Sequence, residues 1–155
     1  MPATIEARLT DLGLELPAPT VPVANFVPWV QSGRILFVSG QISSWNGQPR
    51  HLGKVGREIS VQEGQAAARL CALNLIAQLK SCVGQLDRVR QICMVQVFVN
   101  AMPEFTEHPA VANGASDLLV EVFGPSAGLH ARFAVGAGSL PFNVAVELAA
   151  VIEVA

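Results

Sequence analysis

The stretch SVQEGQAAARLCALNLIAQLKSCVG, residues 60–84, and the stretch RVRQICMVQVFVN, residues 88–100, together decide the fold class. Ser60 and Glu63 have the spacing of a capping box, and Gly84 is typical of the residue that ends a helix. One helical face between them is apolar and consists of Cys71, Leu75, Leu79 and Cys82. The second stretch is a nearly continuous apolar strand, which belongs in the middle of a sheet. The pair predicts a long helix followed by a central strand.

Further elements are expected on both sides of this pair. The patterns predict a short N-terminal helix over 3–13, strands over 26–31, 34–42, 131–136 and 143–154, and a second main helix over 108–124 that ends at Gly124-Pro125. The order ββ(β)αβαββ predicts an α+β fold, a sheet with helices on one face. We expect residues 1–155 to form one domain, with a helix and a Pro-rich arm over 1–22 and a core over 26–154.

The composition favours an oligomer and argues against nucleic-acid binding. Hydrophobic residues make up 51% of the 155 residues and charged residues 14%, so few charges are available to cover a monomer. The net charge is −2 and the ten Lys and Arg residues are scattered, which gives an RNA backbone no basic track.

No continuous apolar stretch reaches the roughly 20 residues of a membrane span, and the N-terminus does not resemble a signal peptide. We expect a cytoplasmic protein that does not contact membranes.

Three cysteines, Cys71, Cys82 and Cys93, fit neither a disulfide framework nor a metal site. We expect buried, reduced thiols, with a catalytic cysteine as the alternative.

Two charges stand in the otherwise apolar segment 130–147, HARFAVGAGSLPFNVAVE. Arg132 shares a strand face with Ala134 and Gly136, and Glu147 lies between small residues on its own strand. Small neighbours leave a recess in which a charge can meet a ligand. The alternative is that Arg132 and Glu147 only pair with each other, although a buried ion pair contributes little to stability.

Two polar segments lack an assigned role at this stage. The loop 46–57 carries the densest basic group of the chain, Arg50, His51, Lys54 and Arg57. It is interpreted as a solvated loop, with anion binding as the alternative. The segment from Asn113 to Ser116 has a composition unfavourable to a helix interior, which indicates a special contact.

Three motifs make the sequence similar to a known family: GRILFVSGQI after the first strand, VFVN after the long helix, and the C-terminal pattern AR-x-x-V…LP…VE. Between Phe26 and Val154 the chain resembles the RidA/YjgF family, also called the L-PSP endoribonuclease family, and in particular a longer subgroup with an N-terminal helix. The resemblance implies a chorismate-mutase-like mixed sheet and a homotrimer with clefts between subunits. Active members hydrolyse small 2-imino acids to 2-keto acids and ammonia there, without a metal or an organic cofactor.

The resemblance also implies roles for individual residues. Arg132 matches the arginine that binds the substrate carboxylate, and Glu147 matches the glutamate that holds the attacking water. Ser39 and Gly40 match residues that line the cleft. Family topology further implies that another strand separates those carrying Arg132 and Glu147.

Two positions depart from the active members. Phe26 replaces a tyrosine, and Ala134 stands where active members often carry cysteine. The substitutions favour a second hypothesis, a non-catalytic or regulatory trimer that binds small carboxylates. A third, endoribonuclease activity, is weaker because the histidines are dispersed. They are His51, His108 and His130.

Overall fold

A computed structural model describes residues 3–155 of the chain. The helices are α1 (Ile5–Asp11), α2 (Val61–Val83) and α3 (His108–Ala127). The strands are β1 (Trp29–Ser32), β2 (Ile35–Ile42), β3 (Ser44–Trp45), β4 (Gln48–Pro49), β5 (Val89–Asn100), β6 (Ala131–Ala137) and β7 (Val146–Val154). The α+β class predicted from the sequence is confirmed, including the short N-terminal helix.

The main sheet has five strands in the order β1-β2-β7-β5-β6. Its neighbours are antiparallel except β5 and β6, which are parallel, so the sheet is mixed. Helices α2 and α3 pack against each other and cover one face. Because β5 lies between β6 and β7, the last two strands are not a hairpin, as the family resemblance implied.

Helix α2 begins and ends where its sequence predicts. The Ser60 hydroxyl accepts a hydrogen bond from the Glu63 N–H, and Gly84 follows the last turn with φ +79°. Among residues 3–155, α2 is the helix long and apolar enough to cross a membrane by length and composition. In the fold, 61% of its apolar window is buried, as expected of a helix that packs in a protein core.

Helix α3 contains a break at the predicted end. Gly124 has φ +83° and ψ 170°, a conformation that suits glycine, and the chain then forms one more turn. Pro125 lies in that turn, where its missing N–H costs no hydrogen bond of the preceding helix. The predicted end at Gly124 is therefore the end of the regular helix.

The three cysteines differ in burial, so the expectation of three buried thiols is wrong for two of them. Cys71 is fully buried and its Sγ lies 3.3 Å from the Val146 carbonyl. Burial raises the pKa of the Cys71 thiol well above its ordinary value, and the nearby Glu147 charge adds to this effect. Cys82 and Cys93 are only partly buried.

Candidate functional site

Arg132 and Glu147 lie on opposite faces of the main sheet. Arg132 pairs in register with Val95 of β5, and the Val95 side chain is buried on the helix-covered face of the sheet. Glu147 is level with Phe98 of β5, on the face without helices. Paired residues on neighbouring strands point to the same face of the sheet, so the Arg132 and Glu147 side chains point to opposite faces. The alternative of an Arg132–Glu147 salt bridge within one chain is therefore wrong.

The Arg132 guanidinium is held by α3. Its Nη1 donates to Asn113 Oδ1 at 2.9 Å and to Ser116 Oγ at 3.1 Å. The His130 ring lies 2.6 Å from the Gly128 carbonyl through Nδ1 and 2.9 Å from Ser116 Oγ through Nε2. Since a carbonyl can only accept, Nδ1 donates to Gly128, and Nε2 shares a hydrogen bond with the Ser116 hydroxyl. This chain of hydrogen bonds fixes Nη1.

The contact of Asn113 and Ser116 with Arg132 explains the helix-unfavourable composition of this segment. The two residues are three apart and therefore share a helical face, which is turned towards β6. Gly114 lies on another side of α3, where a Cβ would overlap the Gln65 carbonyl of α2. Sequence reasoning noticed this segment but gave it no partner, and it did not connect His130 with Arg132.

Glu147 lies against β2 at a bulge between Val38 and Gln41. A Cβ on Gly40 would overlap the Glu147 carboxylate, so glycine at this position leaves the space in which the carboxylate sits. The side chain is half-buried, and burial raises the pKa of Glu147 above its ordinary value. The site therefore contains a carboxylate with more affinity for a proton than a solvated one.

A cavity of about 570 Å³ opens beside this carboxylate. Four of the predicted site residues line it together: Phe26, Ser39, Gly40 and Glu147. Arg132 is on the opposite face, and Ala134 shares its strand face. The Ser39 hydroxyl donates to the Val27 carbonyl at 2.7 Å, so its proton is already used in a hydrogen bond within the protein.

The Pro-rich arm forms the other wall of the cavity, which sequence reasoning did not foresee. The Ala18 N–H donates to Asn46 Oδ1 at 2.8 Å, and buried Gln78 donates to the Thr20 carbonyl at 2.7 Å. Thr20 in turn donates to Gln41 of β2 at 3.3 Å. These bonds hold residues 18–23 beside the sheet. The signal available in the sequence was the presence of Gln78 and Gln41 within otherwise apolar segments, because both side chains are buried in the fold and need partners.

The comparison with known families decides the relationship. The family described as "YjgF/chorismate mutase-like, putative endoribonuclease" matches residues 6–153. This chain belongs to the YjgF family. Protein TCP17 of Trypanosoma cruzi is 48% identical over 149 residues, which cover 96% of this chain and 93% of that protein.

Two solved YjgF-like structures are close in fold and sequence. Atu1372 of Agrobacterium tumefaciens, a protein of unknown function, is 45% identical with a TM-score of 0.90, over 97% of this chain and 92% of that one. A protein of Shewanella oneidensis described as a "putative endoribonuclease" is 38% identical with a TM-score of 0.94, over 98% and 100% of the two chains. The YjgF fold is thus shared over nearly the whole length.

The basic loop of this family member has partners within the protein. His51 lies 3.6 Å from Glu63, Arg57 lies 2.7 Å from Glu58, and Lys54 donates to Asn100 at 2.8 Å. The bond from Arg57, with a second from the Lys54 N–H, lowers the pKa of Glu58 to about 2. These contacts favour the interpretation as a structural surface loop over an anion site. Within residues 3–155, no cluster of three His, Cys, Asp or Glu side chains has the arrangement of a metal site.

Proposed function

We propose that this YjgF protein hydrolyses 2-imino acids to 2-keto acids and ammonia at clefts shared by two subunits of a homotrimer. The observation that carries the proposal is the position of Glu147, a half-buried carboxylate with a raised pKa at the wall of a cavity. Active sites are where such carboxylates are commonly found. The reaction class comes from the resemblance to active family members, and membership of the YjgF family supports that resemblance.

The two faces of the sheet support the proposal that each site is divided between two subunits. A ligand that reaches Glu147 in the cavity cannot reach Arg132 of the same chain. Arg132 lies on β6, which is an edge strand of the sheet. A neighbouring subunit against that edge would bring its cavity to Arg132.

Arg132 is suited to anchor the substrate carboxylate. Its Nη1 is occupied by Asn113 and Ser116, whereas Nε and Nη2 have no hydrogen-bond acceptor among the described residues. A planar Nε–Nη2 edge can bind a carboxylate through two parallel hydrogen bonds. Because Nη1 is fixed by α3, this edge is already oriented before the ligand arrives.

Glu147 is suited to act on the attacking water. In the proposed step, water adds to the imine carbon and one of its protons passes through Glu147 to the nitrogen, which gives a carbinolamine. The second proton then passes from the new hydroxyl through Glu147 to the amine, and the C–N bond breaks to release ammonia. The remaining oxygen becomes the carbonyl of the 2-keto acid. A raised pKa brings Glu147 nearer to neutral pH, which improves both uptake and return of the proton. The imine is already electrophilic, so orientation supplies much of the rate enhancement.

A trimer that binds small carboxylates without catalysis is the second candidate. The sequence contains no tyrosine, so no phenol hydroxyl replaces the one missing at Phe26. Ala134 likewise offers no thiol. Both absences remove polar groups that active relatives can place around the substrate.

Ammonia release from freshly generated 2-iminopropanoate tests the proposal. We expect the wild type to accelerate release over buffer, and Arg132→Ala or Glu147→Gln to lose the acceleration. Acceleration by neither wild type nor variants, combined with binding of pyruvate, would favour the second candidate.

Mixed assemblies test the sharing of sites. Co-expressed Arg132→Ala and Glu147→Gln chains should regain about a quarter of wild-type activity, because about one random interface in four joins an intact Arg132 to an intact Glu147. Each variant alone should stay inactive. Failure of the mixture to regain activity would place the site within one chain or elsewhere.

A further inference from the structure

The cavity beside Glu147 is large and apolar compared with what a short imino acid needs. Its volume of about 570 Å³ falls within the range of roughly 300 to 1,000 Å³ that holds drug-sized ligands. Four prolines, two valines and two phenylalanines are among the residues that line it. The side chain of 2-iminopropanoate is a single methyl group, which would leave most of this wall without contacts.

Six polar side chains line the cavity, and four of them are hydrogen-bonded within the protein: Thr20, Ser39, Gln41 and Asn46. The other two are Glu147 and Ser44. Glu147 is the one charged side chain that lines it among the described residues. Ser44 also lines it, is 1% exposed, and its hydroxyl has no hydrogen-bond partner within residues 3–155. The Ser44 oxygen is almost inaccessible, so Glu147 is the polar group that the cavity offers to a ligand. The cavity therefore suits a ligand with a polar end and an apolar body.

Phe142 is held at the rim in an unusual backbone conformation. Its φ is +57° and that of Asn143 is +60°, a left-handed region that bulky side chains rarely adopt. Such strain persists where the surrounding structure enforces it, and it is concentrated at binding sites. The Phe142 ring is 67% exposed, so it is available to cover an apolar ligand.

We infer that the cavity between the arm and Glu147 receives the side chain of the ligand, and that this protein prefers 2-imino and 2-keto acids with branched or aromatic side chains. The reaction in this inference rests on the proposed function, whereas the size preference does not. The arm and Phe142 are then the elements that determine specificity.

Calorimetric binding of unreactive 2-keto acids tests the size preference separately from catalysis. We expect 4-methyl-2-oxopentanoate and 2-oxo-4-phenylbutanoate to bind at least about tenfold more tightly than pyruvate, because burial of a few methylene groups suffices for that ratio. Phe142→Ala should reduce the ratio about fivefold, because the bulky acids lose more contact with the ring than pyruvate does. Leu12→Ala, which removes an exposed apolar side chain at the end of α1 and outside the cavity, is the control and should leave the ratio unchanged.

The outcomes separate this inference from the proposed function. Equal affinity for pyruvate and the bulky acids, or an equal effect of Phe142→Ala on both, would overturn the size preference. If imines of alanine and leucine are then hydrolysed at equal rates, the proposed reaction is supported and the size preference is not. A tenfold binding preference without hydrolysis of any imine would support the cavity as the ligand site and overturn the deaminase.

Discussion

At the scale of single residues, the site depends on which neighbour each side chain meets. Glu147 has space for its carboxylate because the adjacent β2 residue is Gly40. Arg132 is oriented because Asn113 and Ser116 occupy one of its nitrogens. Neither relation follows from sequence spacing, since the partners are far apart in the chain.

Gly40→Ala should disable the site without unfolding the protein. The new Cβ would overlap the end of the flexible Glu147 side chain, so the carboxylate can move aside at small cost to stability. We expect imine hydrolysis to fall about a hundredfold, since small misplacements of a reacting group have effects of this order. The assay should be run beside thermal unfolding. Gly138→Ala, which meets no atom within 4 Å, is the control. Full activity in Gly40→Ala would show that the position of the carboxylate is unimportant.

Glu147→Gln should stabilise the folded protein at neutral pH. Burial raises the pKa of folded Glu147 above 4.5, so the wild type loses stability as the pH rises through that raised value. Glutamine has no charge to desolvate. We expect the variant to melt about 2 °C higher at pH 7, a small shift because the carboxylate is only half-buried. The difference should vanish near pH 4, where both side chains are neutral. Melting curves that coincide at both pH values would contradict the desolvation argument.

At the scale of elements, local sequence signals predicted where the helices end better than they predicted how the helices pack. Ser60 and Gly84 fixed both ends of α2, and Gly124 marked the end of the regular part of α3. The first strand begins at Trp29 rather than at Phe26, because residues 23–26 form bends and Pro28 has no N–H to pair with a neighbouring strand. The periodicity did not predict how closely α2 and α3 approach each other. Gly114 determines this distance.

Gly114→Ala should destabilise the protein although alanine is the better helix former. Propensity alone predicts a gain of about 1 kcal/mol. The Cβ would overlap the Gln65 backbone carbonyl, which cannot move without separating α2 from α3. We expect a net loss of about 1–3 kcal/mol in the free energy of unfolding, measured by denaturant titration. Asp117→Ala, at an exposed α3 position, isolates the propensity effect and should be neutral or stabilising. Stabilisation by Gly114→Ala would mean that the helices are not in such close contact.

At the scale of the whole molecule, one face of the sheet is covered and the other is not. Large apolar side chains remain exposed on the uncovered face, among them Val30, Phe37, Phe133 and Val135. An apolar surface of this kind favours association with another chain. The low charged fraction of 14% agrees with an assembly in which this surface is buried.

Val135→Asp should therefore weaken self-association. Val135 is 41% exposed on the uncovered face, and a carboxylate there would have to be desolvated in an interface. Light scattering should give the mass of a trimer for the wild type and that of a monomer for the variant. Leu12→Asp changes a residue of similar exposure at the end of α1 and should leave the trimer intact. A monomeric wild type, or a trimeric Val135→Asp, would contradict the assignment of this face.

The sequence by itself determined the elements and the residue types that the chemistry needs. Helix caps, apolar periodicity and strand alternation act between neighbours in the chain, so they fixed α2, α3, β5 and the α+β class. The same motifs singled out Arg132 and Glu147 as unusual charges. Side-chain pairing was different, because it depends on strand order and register, which connect distant residues.

Only the tertiary structure decided that Arg132 and Glu147 point to opposite faces. That outcome follows from the insertion of β5 between β6 and β7, together with the two-residue period of side chains along each strand. The cavity also required tertiary contacts, since Gln78 and Asn46 hold the arm from positions far along the chain. Short-range patterns thus specified the parts, and long-range packing specified which of them meet.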